Sequence, residues 1–179
     1  MSSILFMKII VIGIGCNPPE FLNKLSETFS AKISFDKIRL PKDSYNPEKD
    51  QFSAEKILNV LREKEFKKFK PDKILGVTEI DIDVRELNFV FGLSEIGGRN
   101  CLISLHRLHP EFYGETNEKL FDERTLKEGI HELGHSFGLD HCENKKCVMH
   151  FSNSIEEVDK KSSRFCEKCT KILSELELK

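Results

Sequence analysis

The sequence predicts an α/β fold built on a mostly parallel sheet with one antiparallel strand. Three observations carry that reading. Strand-like and helix-like segments alternate through the first half of the chain, and a strand that returns after a helix leaves its neighbour parallel by a right-handed crossover. Two later strand-like runs, "LNFVFGL" and "CLISLHRL", are separated only by the turn "SEIGGRN". That link is too short for a crossover, so one of the two runs antiparallel. The stretch "HELGHSFGLDHCENKKCVMH" then packs four histidines and two cysteines into twenty residues, so a metal-bound region follows the sheet.

The elements follow in order. "MKIIVIGIG" is a β-branched run ending in glycine, which reads as a buried strand. Asn17 is placed to cap a helix whose first turn suits Pro18 and Pro19, with Phe21, Leu22, Leu25 and Phe29 on one face. "KISFDKIRL" reads as a second strand and "PKDSYNPEKDQF" as a loop. Ser53 caps a second helix with Ile57, Leu58, Leu61 and Phe66 facing inward. "KILGVTEIDIDV" is a strand running into an acidic stretch. Within it "EIDIDVRE" alternates acid and aliphatic, which favours a strand with one solvated face over a cation site. A helix from about Phe121 to Phe137 carries the first histidines. The tail "FCEKCTKILSELELK" begins as a cysteine loop and ends as a short helix with Ile172, Leu173 and Leu176 inward. Met7 is an alternative start, which makes Met1–Phe6 an extension.

Composition narrows the classes. The chain has 179 residues, enough for one domain with a substantial core. It carries 28 basic and 30 acidic residues, so it lacks the basic excess of a nucleic-acid binder. Lys8 interrupts the longest apolar run, which is too short to span a bilayer, and no positive charge precedes it as in a secretory signal. A cytoplasmic protein with no nucleic-acid or membrane partner is expected. Four of the six cysteines (Cys142, Cys147, Cys166 and Cys169) cluster late, which in such a compartment favours metal over disulfides. Cys16 and Cys101 sit on apolar strands and read as core thiols.

The histidine string contains its own geometry. Residues four apart share a helix face, so His131 and His135 can reach one ion. Glu132 is turned sideways from them, where a general base would reach a metal-bound water. Gly138 lets the helix stop, because glycine takes the left-handed conformation without strain. The chain can then deliver His141 as a third ligand. Three histidines leave an open fourth position, as catalytic zinc requires, and zinc brings the pKa of its bound water to about 7. Glu156 or Glu157 could replace His141 in a rival arrangement, which the glycine turn makes unnecessary. Cys142, Cys147, Cys166 and Cys169 have the spacing of a closed, structural four-thiolate zinc site. His150 could substitute for one of them, though four cysteines suffice. His106 and His109 read as surface or supporting histidines rather than ligands.

These motifs together resemble the archaemetzincins, a family of metzincin zinc metalloproteases. The likeness rests on "HELGHSFGLDHC", on "CVM" at Cys147–Met149 and on "FCEKC", so it covers residues 131 to 169. It implies a metzincin-like twisted mixed sheet of about five strands over two long helices, a backing helix and an active-site helix. It also implies a small C-terminal zinc-bound subdomain. A single catalytic domain over residues 1–179 would place the sheet and active-site helix in 1–138. The third histidine, the Met-turn and the cysteine zinc would fall in 139–179. By the same resemblance His131, His135 and His141 bind catalytic zinc, Glu132 is the base, the four cysteines bind a second zinc, and Met149 forms an apolar floor. "LNFVFGL" becomes the edge strand bordering the cleft, where an extended peptide could add by main-chain hydrogen bonds. Phe151 stands near where other metzincins carry a tyrosine. No segment with a metal-blocking cysteine precedes the domain, so latency is not expected.

The expected function is a zinc-dependent metallopeptidase that hydrolyses peptide bonds through a zinc-bound water, with a peptide or protein as substrate. The rival is a zinc-stabilised binding module without turnover. Glu132 weighs against that rival, since a structural site has no need of a base.

Overall fold

The structure, a computed structural model, describes residues 7–66, 70–85 and 87–177. The extension Met1–Phe6, Glu86 at the end of the acidic run, and the last two residues of the tail lie outside the described residues. Strand β1 (Met7–Ile14) leads through a 3-10 turn (Glu20–Lys24) into helix α1 (Leu25–Phe29). Strand β2 (Ala31–Ile38) follows, then the short strands β3 (Tyr45–Asn46) and β4 (Gln51–Ser53). Helix α2 (Ala54–Glu63), strands β5 (Lys73–Thr78), β6 (Ile82–Asp83), β7 (Gly92–Ser94) and β8 (Asn100–Ser104) come next. Three helices complete the chain: α3 (Glu118–Ser136), α4 (Ile155–Lys160) and α5 (Glu167–Glu177).

The main sheet has five strands in the order β2-β1-β5-β8-β7. All neighbours pair parallel except β7 with β8, so the antiparallel strand is the edge. The alternation along β1 explains what covers the sheet. Ile9 and Val11 pack with Leu22, Leu25 and Phe29, and with Ile130 and Leu133 of α3. Ile10, Ile12 and Ile14 pack with Ile57, Leu58 and Leu61 of α2. Helices α2 and α3 therefore lie on opposite faces, which is how a parallel sheet buries both of its sides.

Several local readings are revised. Asn17 does not cap a helix; its side chain accepts from Lys37 Nζ at 3.3 Å, and Pro19 occupies the cap position. The presumed loop after β2 contains β3 and β4, which join β6 in a small second sheet. "LNFVFGL" is a strand only from Gly92; Phe91 O still accepts from Ser104 N of β8, but before it the chain turns toward the second sheet, where Val90 N donates to Ile82 O. "CLISLHRL" leaves the sheet after Ser104. Of the acids of "EIDIDVRE", Glu79 is exposed, but Asp81 and Asp83 are not on a solvated face. Asp81 accepts two hydrogen bonds from Arg107 and one from Gln51, and Asp83 pairs with Lys49 at 2.6 Å. Gln51 and Lys49 also donate to the carbonyls of Asn88 and Leu87. The acidic run thus braces the segment before the edge strand. Among the described residues, no helix is long and apolar enough to cross a membrane.

Candidate metal centres and cleft

Helix α3 is set by its ends. Asn117 accepts from Leu120 N at 3.1 Å and satisfies a free donor of the first turn. Gly138, at φ 104°, turns the chain out, and its N–H donates to His135 O. The turn exposes the Leu139 carbonyl toward the helix, where it accepts from His135 Nδ1 at 2.7 Å. His131 Nδ1 donates in the same way to Val148 O at 2.8 Å. A carbonyl only accepts, so each Nδ1 carries the hydrogen and each Nε2 is a bare lone pair.

Those two Nε2 atoms face one another at 3.1 Å. Two converging lone pairs repel unless a cation stands between them. Tetrahedral zinc with 2.0–2.1 Å bonds would space its nitrogens by about 3.4 Å. His141 completes the group, with one ring nitrogen from each histidine within 4.8 Å of the others. Burial holds all three imidazoles below their ordinary pKa, His131 most of all, which keeps the lone pairs free. The donor set therefore fits a single divalent cation.

Glu132 is buried beside this group. Its Oε2 lies 2.5 Å from Ser94 Oγ on β7, and Ser94 also reaches the Glu132 carbonyl at 2.7 Å. Gly92, two residues earlier, faces the same carboxylate. A Cβ there would come 2.5 Å from Oε1, so only glycine lets the edge strand approach this closely. Burial pushes the Glu132 pKa up to about 8, against the opposing pull of the Ser94 hydrogen bond.

Met149 is fully buried against Gly134, between the two helix histidines in sequence, where any side chain would strike its Sδ. Cys142 N donates to Met149 O at 2.9 Å, and Val148 N to Arg164 O at 3.0 Å. The second group is Cys142, Cys147, Cys166 and Cys169. Its sulfurs are 3.7 Å apart for Cys142–Cys166 and for Cys147–Cys169. Disulfides need about 2.05 Å; four thiolates on one zinc at 2.3 Å would sit about 3.8 Å apart. Cys166 N also donates to Cys147 Sγ at 3.3 Å. A backbone hydrogen bond draws Cys166 down to about 7, while burial pushes Cys169 up.

A cleft of about 470 Å³ runs between residues 87–94 and α3, with the histidines and Glu132 at its floor and Phe151 on its rim. The other sequence candidates are not drawn into it. Glu157 accepts from Asn153 N and Glu156 is exposed, so neither joins the histidines. His150 donates toward Cys142 O, His106 packs edge-on to Phe112, and His109 stacks on Phe121 beside Glu79. Cys101 is buried, and Cys16 donates to Val77 O from a half-buried position. Sequence reasoning missed Ser94, Gly92, Glu128 and Lys161. Only Glu128 left a signal, being one turn before Glu132 on the same helix face.

Comparison with known proteins settles the class. The model of Peptidase family M54 matches residues 25–175, and the chain is a zinc metallopeptidase. It is 45% identical over 177 residues to an archaemetzincin of Methanocaldococcus jannaschii, covering 96% of each chain. It is 46% identical to that of Pyrococcus furiosus, over 93% of this chain and 92% of the other. The crystal structure of the Methanopyrus kandleri archaemetzincin superposes with a TM-score of 0.88 at 34% identity, covering 97% of both chains. The chain belongs to the archaemetzincin family.

Proposed function

We propose that the chain hydrolyses peptide bonds in the cleft between β7 and α3, with Glu132 as general base. His131, His135 and His141 would hold a catalytic zinc, and Cys142, Cys147, Cys166 and Cys169 a structural one, two ions per chain. When bound in such a site, zinc supplies a Lewis acid that acidifies water and polarises a carbonyl. The observation that carries the reading is the pairing of a buried, Ser94-held carboxylate with a converging histidine trio, two from helix α3 and His141 from beyond its end.

Among the described residues, the outer edge of β7 pairs with no other strand of its sheet. An extended substrate can add there through main-chain hydrogen bonds, which aligns the scissile carbonyl over the helix. Glu132 takes a proton from the attacking water and later delivers it to the departing amine. Ser94 holds one carboxylate oxygen and so leaves the other to do this work. Met149 packs Gly134 from beneath and keeps the ligand-bearing turn of helix dry. We infer that the chain divides at residue 138 into two subdomains, with the cleft at their joint. A binding module without turnover is not favoured, since the family is one of peptidases.

Glu132→Ala tests the reading directly. Turnover of peptides should fall by roughly a thousandfold, in the range of general-base contributions, while zinc content stays at the parental level. Cleavage at the parental rate by that variant would remove Glu132 from the mechanism.

A further inference from the structure

Each wall of the cleft leads to an arginine that carries an exposed aromatic ring. On the strand side Phe89 lines the cleft, and the Arg107 guanidinium lies 4.2 Å from its ring centroid. The same guanidinium is 5.1 Å from the ring centroid of Phe112. On the helix side Glu128 lines the cleft, paired with Lys161 at 2.8 Å. One turn earlier on α3, the Arg124 guanidinium lies 5.5 Å from the ring centroid of Tyr113. Phe112 and Tyr113 are consecutive, with ring centroids 5.1 Å apart and planes at 68°. At the other end of the cleft, Ser94 and Gly97 bond the carbonyls of Glu132 and His135. The aromatic pair therefore stands beyond the end away from the β7–β8 turn.

The pair is fixed although the chain around it, residues 111–119, is exposed throughout. Arg107 makes two hydrogen bonds to Asp81, of 2.8 and 2.7 Å, and Arg124 two of 2.7 Å to Asp159. Tyr113 Oη donates to Arg107 O at 2.9 Å, and His106 packs edge-on against Phe112. Even so, Phe112 is 46% exposed and Tyr113 39%. Two rings held from behind and open in front offer large contact area at little cost in ordering.

The charge around the rings selects what they hold. Both arginines are neutralised by their aspartates. Residues 111–123 contain Glu111, Glu115, Glu118, Asp122 and Glu123 against Lys119 alone. Glu115 acts through space on Arg124 and Glu156 on Tyr113, and the Glu111 side chain is 61% exposed. An open ring face is negative, so carboxylates beside it add to its attraction for a cation. A lysine or arginine can lay its aliphatic stem on the ring and keep its charge among the acids. We propose that Phe112 and Tyr113 form an exosite for the substrate polypeptide as it leaves the cleft, holding a lysine or arginine outside the cleaved segment. An extended chain advances about 3.3 Å per residue, which puts the held residue roughly five to eight positions from the scissile bond. This assignment rests on the peptidase reading above, and it favours extended polypeptides over very short peptides.

The test uses the full-length zinc-loaded chain. A short peptide that it cleaves is compared with the same peptide lengthened at either end by roughly ten glycine and serine residues, with Arg, Leu or Glu at each added place in turn. At one place Arg should lower KM roughly three- to tenfold relative to Leu and Glu, with kcat unchanged. In the Phe112→Ala, Tyr113→Ala double variant that advantage should vanish. The short peptide should keep its kcat/KM there, which reports that the wall held by Arg107 is intact. Glu111→Gln with Glu115→Gln keeps the rings and should bring Arg toward Leu. Equal KM for Arg, Leu and Glu at every place, or an Arg advantage that survives loss of either the rings or the carboxylates, overturns the exosite. Failure to cleave any peptide counts against the peptidase reading instead. The same lengthened peptides, titrated onto Glu132→Ala by fluorescence anisotropy, then decide the exosite by the same ranking.

Discussion

The two metal-binding groups are built from adjacent residues, His141 and Cys142, yet by opposite means. The histidines are aimed from outside: Val148 O and Leu139 O hold the far nitrogens and leave the near ones bare. The cysteines hold each other at 3.7 Å with backbone support, two of the four being buried. One group faces a cleft, as a site that must admit substrate has to. The other closes on itself, as a staple does. On the proposed assignment the two groups divide the labour, because the cysteine segments also carry backbone bonds that support the aim. Cys142 N binds Met149 O, and Val148, whose carbonyl holds His131, is itself tied to Arg164, two residues before Cys166.

Removing the staple should break this comparison most severely. Cys166→Ser with Cys169→Ser is expected to weaken zinc binding at the histidines by about ten- to a hundredfold, as loss of outer supports does. Zinc titration with a competing chelator measures it. Unchanged affinity in a folded double variant would make the two groups independent.

A smaller effect sharpens the catalytic side. Ser94→Ala removes the hydroxyl beside Glu132 and should lower kcat by roughly tenfold, the value of a hydrogen bond to a charged group. The zinc content should stay at the parental level, as metal analysis would report. Loss of metal together with rate would make Ser94 a support for the histidines rather than for the base.

The smallest effect belongs to the helix alone. Asn117→Ala deletes the cap of α3 far from either group and should cost about 1 kcal/mol of stability, read by thermal or urea unfolding. Peptide turnover per folded molecule should not change. A fall in turnover would mean that the start of α3 transmits to its ligand-bearing end.

What could be read from the sequence follows the distance between partners along the chain. His131 and His135 are four residues apart, and Gly138 and each cysteine pair are similarly local, so spacing marks the donors of both sets, although the two cysteine pairs meet across more than twenty residues. The β1–β2–β5 parallel core was legible from strand and helix alternation. Ser94 meets Glu132 across 38 residues and Arg124 meets Asp159 across 35. No periodicity encodes such pairs. Asp81 and Asp83 misled for the same reason: alternation shows that a strand has two faces, but not that Arg107 and Lys49 will cover one of them. Helix α4 was missed because six residues, Ile155–Lys160, are too few for a periodic pattern.

The link between the two groups also has a direction in time. A chain is made from its N-terminus, so all three histidines and Glu132 exist before Arg164, Cys166 and Cys169 are added. Until those residues arrive, the Val148 N–H lacks its bond to Arg164 O, one of the supports of the segment whose carbonyl turns His131 toward the cleft. On the proposed assignment, the last support of the cutting edge is added only after the body of the protein has been laid down.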